Sequence, residues 1–160
     1  MHDKELPSTL KLVIIWLLIF GALALGWQAF EHQRQQSQFK IDGAHIELKR
    51  GPDGHFHWPG HINGVAVDFL VDTGATSTAV PKALAEQAGL QPERQVRSDT
   101  AGGVVRGYVA RADLSLKGGV SAERLPVTVL PALSGPLLGM DVLSKLHFRQ
   151  EDGRFIVNAN

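Results

Sequence analysis

The residues best suited to chemistry lie in Phe69–Pro81, FLVDTGATSTAVP. Three apolar residues run into Asp72, and Thr73-Gly74 follow at once. A buried, unpaired carboxylate is costly. Asp72 therefore either faces water at a turn or has a partner and a task. The task open to it is half of a carboxylate pair. Two carboxylates brought close cannot both ionise, so they share one proton. One can then act as base on a water while the other protonates a carbonyl oxygen. The apolar strand would fix the carboxylate at one point of a low-dielectric cleft. Gly74 would leave room for another backbone and for a substrate. Thr73 could hydrogen-bond across to a facing loop. The plainer reading is that Asp72 caps a turn or helix and nothing more.

Other groups compete for attention. His55 and His57 share one face of an extended segment, with His61 close by, and such a trio could hold zinc. No carboxylate or fourth histidine stands at matching spacing, so packing at a rim is the simpler account and no metal is expected. Arg106 and Arg111 could meet an acidic partner, but solvated strand faces explain them equally. Cysteine is absent, which excludes disulfides, thiolate nucleophiles and Cys-based metal sites. Lys+Arg and Asp+Glu are both 16, a formal net charge of zero. A nucleic-acid binder would carry a basic excess, so none is expected as a partner.

The elements that must position Asp72 are short strands. Residues 44–50 (AHIELKR) alternate, and 51–54 (GPDG) is turn chemistry. Residues 55–62 lead to Asn63-Gly64, the dipeptide of a tight hairpin, and 65–71 (VAVDFLV) return from it into Asp72. Residues 82–89 read as a short helix, with Pro81 at its start and Gly89 at its end. Residues 95–116 form a hairpin around Ala101-Gly102-Gly103. Residues 125–133 form a strand edged by prolines. Residues 135–146 give an apolar strand, a glycine and a helical turn. Residues 154–159 make a last strand after Glu151-Asp152-Gly153. Many short strands with frequent turns predict an all-β barrel or sandwich carrying two short helices.

The first 40 residues are of another kind. Leu12–Phe30 contains no charged residue and is bounded by Lys11 and Glu31. About 20 apolar residues cross a bilayer as a helix, and Trp27 suits an interfacial aromatic belt. An uncleaved transmembrane anchor over 12–30 is expected. Its rival is a cleaved signal peptide, since Ala22-Leu23-Ala24 has the small-x-small form of a cleavage site. Lys4 and Lys11 precede the span, while Arg34, Lys40, Lys49 and Arg50 follow it, so charge leaves orientation open. The expected organisation is a tail at 1–11, the span, a Gln-rich polar tether at 31–43 and a globular domain at 44–160.

Phe69-Leu70-Val71-Asp72-Thr73-Gly74-Ala75-Thr76 resembles the active-site loop of retropepsin-like aspartic proteases. Pro136-Leu137-Leu138-Gly139-Met140-Asp141-Val142-Leu143 resembles the family's second hallmark, which crosses under that loop. Ser98–Tyr108 stands where the flap hairpin belongs. The likeness covers roughly 55–158 in the right order. It is nearest to bacterial membrane-anchored members with one N-terminal span and a single protease domain facing the periplasm. The resemblance implies a closed β-barrel, with Asp72 catalytic on the loop Thr73, Gly74, Ala75 and Thr76. It implies a flap tip at Thr100, Ala101, Gly102, Gly103 and Val104, with Leu137, Leu138 and Gly139 as the supporting segment. Viral members carry acids just after the Ala of the loop and an Arg after the later Gly. Here Thr76, Ser77 and Met140 stand instead, so that ion pair cannot form.

The chemistry needs two aspartates, and only one Asp-Thr-Gly is present. Asp99-Thr100-Ala101-Gly102 lacks a preceding apolar strand and is read as flap, or else as an ordinary surface hairpin. Asp141 begins a helical turn and is explained by capping or a surface ion pair. A two-fold homodimer with the site on its axis is therefore expected. The resemblance implies hydrolysis of extended polypeptides at the bacterial inner membrane, with no cofactor, because water attacks directly. Self-release from the anchor is compatible with this. The alternative is a catalytically silent, membrane-tethered peptide-binding domain of the same fold.

Overall fold

The computed structural model describes residues 8–37, 39–42, 45–100 and 103–158. They fall into two compact units, Met1–Ser37 and Gln38–Asn160. Of the expected flap tip, Ala101, Gly102 and the Thr100 side chain lie outside the described residues.

The first unit is one helix, α1 (Ser8–Ser37). Thr9–Gln28, 20 residues of mean hydropathy 2.3, is long and apolar enough to cross a membrane. At 1.5 Å per residue it extends roughly 30 Å, the thickness of a hydrocarbon core. Large side chains from Leu12 to Trp27 are exposed around it, without the polar stripe a surface helix keeps. The helix continues through the Gln-rich stretch to Ser37, since Glu, Gln and Arg are good helix formers. Tether residues 31–37 are thus helical and 39–42 are a strand.

The second unit is all-β with two short helices. In chain order it comprises β1 (Phe39–Asp42), β2 (His45–Lys49), β3 (His57–Ile62), β4 (Val65–Val71), β5 (Ala79–Pro81), α2 (Lys82–Gln87), β6 (Arg94–Thr100) and β7 (Gly103–Leu116). Then follow β8 (Val120–Leu130), β9 (Leu137–Leu138), α3 (Met140–Leu143), β10 (His147–Glu151) and β11 (Arg154–Asn158). An antiparallel sheet has the order β1-β2-β11-β10. The other strands run β3-β4-β9-β5-β8-β7, and β7 pairs back onto β3, which closes the barrel. β6 hangs on the free edge of β7 as the outer arm of a hairpin.

Turn chemistry sets the register. Asn63 and Gly64 both take positive φ (46° and 81°), the type I′ geometry that suits a two-residue hairpin. Ile62 consequently faces Val65, and Trp58 faces Phe69. Asn63 also holds its surroundings. Its amide donates to the carbonyl of Ala88 at 3.0 Å, and its side-chain oxygen accepts from the Asp113 N–H at 2.8 Å. Asp113 lies where β7 shifts register against β8. Closure of the barrel needs Gly60, which pairs with Leu116. A Cβ there would meet the Ser115 carbonyl oxygen at 2.4 Å.

The core contains Trp58, Ile62, Phe69, Val80, Val127, Val129, Leu138 and Leu143 from the barrel, and Ile46, Leu48, Phe155 and Val157 from the sheet. Phe56 joins the two, its ring 5.6 Å from that of Phe155. Burying one such side chain stabilises the fold by about 1.5–3 kcal/mol. Trp58 is buried with its indole N–H satisfied by the Lys117 carbonyl at 2.9 Å.

Candidate active site

Strand β4 runs out of the core directly into Asp72, and the backbone there is pinned from the side. β9 lies between β4 and β5, parallel to the first and antiparallel to the second. Leu70 N–H donates to the Pro136 carbonyl at 2.9 Å, and Asp72 N–H donates to the Leu138 carbonyl at 3.0 Å. The Ala75 N–H returns to the Asp72 carbonyl at 3.2 Å and closes a tight turn. The half-buried Asp72 carboxylate accepts the Gly74 N–H at 2.9 Å. A Cβ on Gly74 would meet only this carboxylate, at 3.2 Å. The room that Gly74 leaves within the chain is therefore room for Asp72 itself. Thr73 is exposed at the tip.

The loop rests on α3. Met140 N–H donates to the Ala75 carbonyl at 2.8 Å and Asp141 N–H to the Thr76 carbonyl at 3.1 Å. Asp141 answers from its side chain. Both its oxygens accept the Thr78 N–H at 2.9 Å, and Oδ1 accepts the Thr78 hydroxyl at 2.8 Å. Thr78 Oγ1 in turn accepts the Gly139 N–H at 3.2 Å. Hydrogen bonds to a charged acceptor contribute about 1.5–3 kcal/mol each, so this tie stiffens the loop. Asp141 does cap its own turn, through the Val142 N–H at 3.0 Å. Among the described residues it makes no ion pair, and its oxygens accept from the loop and its own turn. Thr78, fully buried, was not singled out from the sequence. Its only signal there is a threonine just before an apolar strand.

Gly139 stands where the two segments nearly touch. A Cβ on it would lie 2.4 Å from the Ser77 carbonyl carbon and 2.8 Å from the Thr78 nitrogen. Leu138 beside it is buried and Leu137 half-buried. Ser77 Oγ lies 3.3 Å from Thr128 Oγ1, Thr76 is exposed and Met140 is half-buried.

The β6–β7 hairpin reaches the space beside the Asp72 loop through Ser98 and Asp99. Thr100 is in register with Gly103, and Val104, 56% exposed, is the one large exposed apolar side chain among the described residues outside α1. Asp72, Gly74, Ala75, Thr76, Ser77 and Ala79 open onto a cleft of about 540 Å³, bounded by Ser98, Asp99, Thr128, Leu130, Leu133 and Leu137. Asp99 lies on a hairpin arm opposite Val104, not at the end of a core strand. Ser98 belongs to the expected flap hairpin, whereas Thr128 was not foreseen as a cleft residue, because it arrives from a distant strand.

Two of the three histidines meet at the Asp53 carboxylate, which the sequence pattern did not offer as a partner. His57 Nε2 is 2.8 Å from Asp53 Oδ2, and its Nδ1 is 3.4 Å from Asp68 Oδ2. His55 Nδ1 is 3.6 Å from Asp53, and His61 is exposed. Among the described residues no group of three or more His, Asp or Glu could hold a metal ion. The bond from His57, with the His55 N–H, holds the Asp53 carboxyl below its ordinary range. Burial pushes the Asp68 carboxyl up. Arg111 pairs with Glu93 at 3.2 Å.

Comparison with known proteins gives this geometry a context. Residues 58–145 match the family model of gag-polyprotein putative aspartyl protease. An uncharacterized protein of Rickettsia prowazekii (strain Madrid E) is 28% identical over 98 residues, 54% of this chain and 42% of that protein. The chain thus spans less than half of that relative's length. The crystal structure of a retropepsin-like aspartic protease from Rickettsia conorii superposes with a TM-score of 0.58 at 25% identity, covering 76% of this chain and 95% of that one. EIAV protease complexed with the inhibitor HBY-793 gives 0.51 at 19% identity, over 61% and 93%. The latter likeness is one of fold alone.

Proposed function

Since the chain belongs to the family of gag-polyprotein putative aspartyl proteases, with a retropepsin-like barrel, we propose that it is a membrane-anchored aspartic endopeptidase with Asp72 as its catalytic residue. The observation that carries this reading is the half-buried Asp72 carboxylate, held by the Gly74 N–H at 2.9 Å and lining a cleft that Ser98 and Asp99 of the β6–β7 hairpin also border. One chain offers one such carboxylate. The second is Asp72 of the partner subunit in a two-fold homodimer, whose axis passes between the two loops. The exposed Thr73 of each loop is available to bond across that axis.

In the dimer the paired carboxylates share one proton. The ionised one takes a proton from water, and the oxygen attacks the scissile carbonyl carbon. The protonated one gives its proton to the carbonyl oxygen. Collapse of the tetrahedral species breaks the C–N bond as the leaving nitrogen takes the proton that the first carboxyl drew from water, and a hydroxyl proton returns to the other carboxylate. No covalent enzyme intermediate forms. The substrate is an extended polypeptide laid between the loops and the hairpins, with the flap tip at Thr100–Val104 closing over it. α1 is proposed to anchor the enzyme in the bacterial inner membrane with the barrel in the periplasm. Such an anchor raises the local concentration of subunits.

The test uses full-length protein in an uncharged detergent, wild type against Asp72→Asn, with an unbiased peptide library read by mass spectrometry from pH 4 to 7. Cleavage by wild type alone, lowered at least about 10³-fold in the variant, is the expected outcome. Cleavage by both would remove Asp72 from the mechanism. Binding of peptides without cleavage by either would favour the silent peptide-binding domain.

A further inference from the structure

The Asp72 cleft does not end at the loop. A second chamber of about 330 Å³ shares Ser77, Ser98 and Thr128 with it. Val96, Val109 and Pro126 give this chamber apolar walls, and Arg94 stands among its lining. Alternation along β6 puts Arg94, Val96 and Ser98 on one face of the strand, the face paired with Val109, Gly107 and Val105 of β7. Ser98 belongs to both chambers, so the face runs from the catalytic cleft out to Arg94.

The charges around Arg94 are otherwise committed. Glu93, its chain neighbour, is taken by Arg111 at 3.2 Å. Asp141 borders the chamber, but its oxygens accept the Thr78 and Val142 groups of the active-site loop. Among the described residues Arg94 has no carboxylate partner. Arg97 also borders the chamber and faces Arg106 directly across the hairpin. Like charges opposed across strands repel, and Arg97 is thus a second cationic side chain beside the chamber.

We propose that Arg94 is a specificity-determining residue that selects an acidic side chain in the substrate, away from the scissile bond. Ser98 is four steps along the strand from Arg94, roughly 13 Å at about 3.3 Å per residue. An extended peptide advances at the same rate. The recognised acid thus lies several positions from the bond that is cut. Apolar residues fill the walls between. This inference rests on the protease reading for its geometry. A two-fold dimer carries Arg94 at both ends of the cleft, so the favoured substrate has an apolar centre and an acid on each side.

The experiment separates recognition from cleavage. Full-length Asp72→Asn in uncharged detergent is titrated, by fluorescence anisotropy, into two labelled peptides. They share an apolar centre and carry glutamate or lysine at both ends. The glutamate peptide should bind about tenfold more tightly at low salt, the combined effect of one exposed attraction and one exposed repulsion at each end. Adding Arg94→Glu should reverse the order, a gain of lysine-peptide binding that a misfolded protein could not show. Equal affinities, absence of binding by both peptides, or a glutamate preference that survives Arg94→Glu would overturn the proposal. Library cleavage by the Asp72 enzyme distinguishes the two readings. Cleavage with no acidic enrichment removes Arg94 and leaves the protease. Glutamate-selective binding with no cleavage keeps Arg94 and removes the protease.

Discussion

Individual residues here are constrained by space as much as by chemistry. Asp72 is held through one N–H from Gly74 and through its own backbone bond to Leu138, so a change at its side chain leaves the pinning intact. Gly139 differs. Any side chain there runs into the backbone of Ser77 and Thr78, which itself carries the bond to Asp141. Gly139→Ala should cost about 3 kcal/mol, at the upper end of overpacking, and should lower activity by displacing the loop. Gly74→Ala, whose Cβ meets only Asp72 Oδ1, should leave the melting temperature near that of the wild type. Thermal unfolding of both variants checks this. Equal melting temperatures would mean that the close approach at Gly139 relaxes freely.

At the scale of elements, β4 and the segments beside it act as a delivery frame. β9 fixes its exit, and His57 on β3 stands between Asp53 in the preceding turn and Asp68 on β4. The lowered Asp53 carboxyl marks an interaction with the ionised form. Its folded value lies below its unfolded one, so its contribution to stability is present above pH 3.8. That contribution is lost as pH falls through the lowered folded value. Asp68 has the opposite sign. Its raised value makes ionisation of the folded state unfavourable as pH rises through it. Asp53→Asn should therefore lower the melting temperature at pH 7, with the difference from wild type shrinking below pH 3.8. A difference constant from pH 7 to pH 3 would show that the turn, and not the charge, is what the variant disturbs.

For the whole molecule the proposed site is half a site. Each chain contributes one Asp-Thr-Gly, so activity should require two chains. Diluting the full-length enzyme in detergent should lower its specific activity as dimers separate. Sedimentation should show the loss of the dimer over the same range of concentration. A monomer with full activity would sink the shared-proton mechanism. The barrel and the four-stranded sheet beside it belong to one compact unit, Gln38–Asn160, and α1 belongs to another. The anchor's proposed part in catalysis is to raise the local concentration of subunits.

Much of this was legible in the sequence because it depends on neighbours along the chain. The apolar run into Asp72, the Asn63-Gly64 turn, the strand periods and the uncharged span of α1 are local patterns that determine local structure. The two hallmark segments and the hairpin between them carried the family likeness. What only the tertiary structure decided depends on residues far apart in sequence. Thr78 and Asp141 are 63 positions apart, and nothing periodic marks their bond. The seam at Gly60, the placement of β9 between β4 and β5, and the pairing of His57 with Asp68 instead of with other histidines are likewise products of barrel closure. Strand β1 was missed for the same reason, since an edge strand is stabilised by its partner more than by its own four residues. Local chemistry chose the elements, and the geometry of closing a six-strand sheet on itself chose which side chains meet.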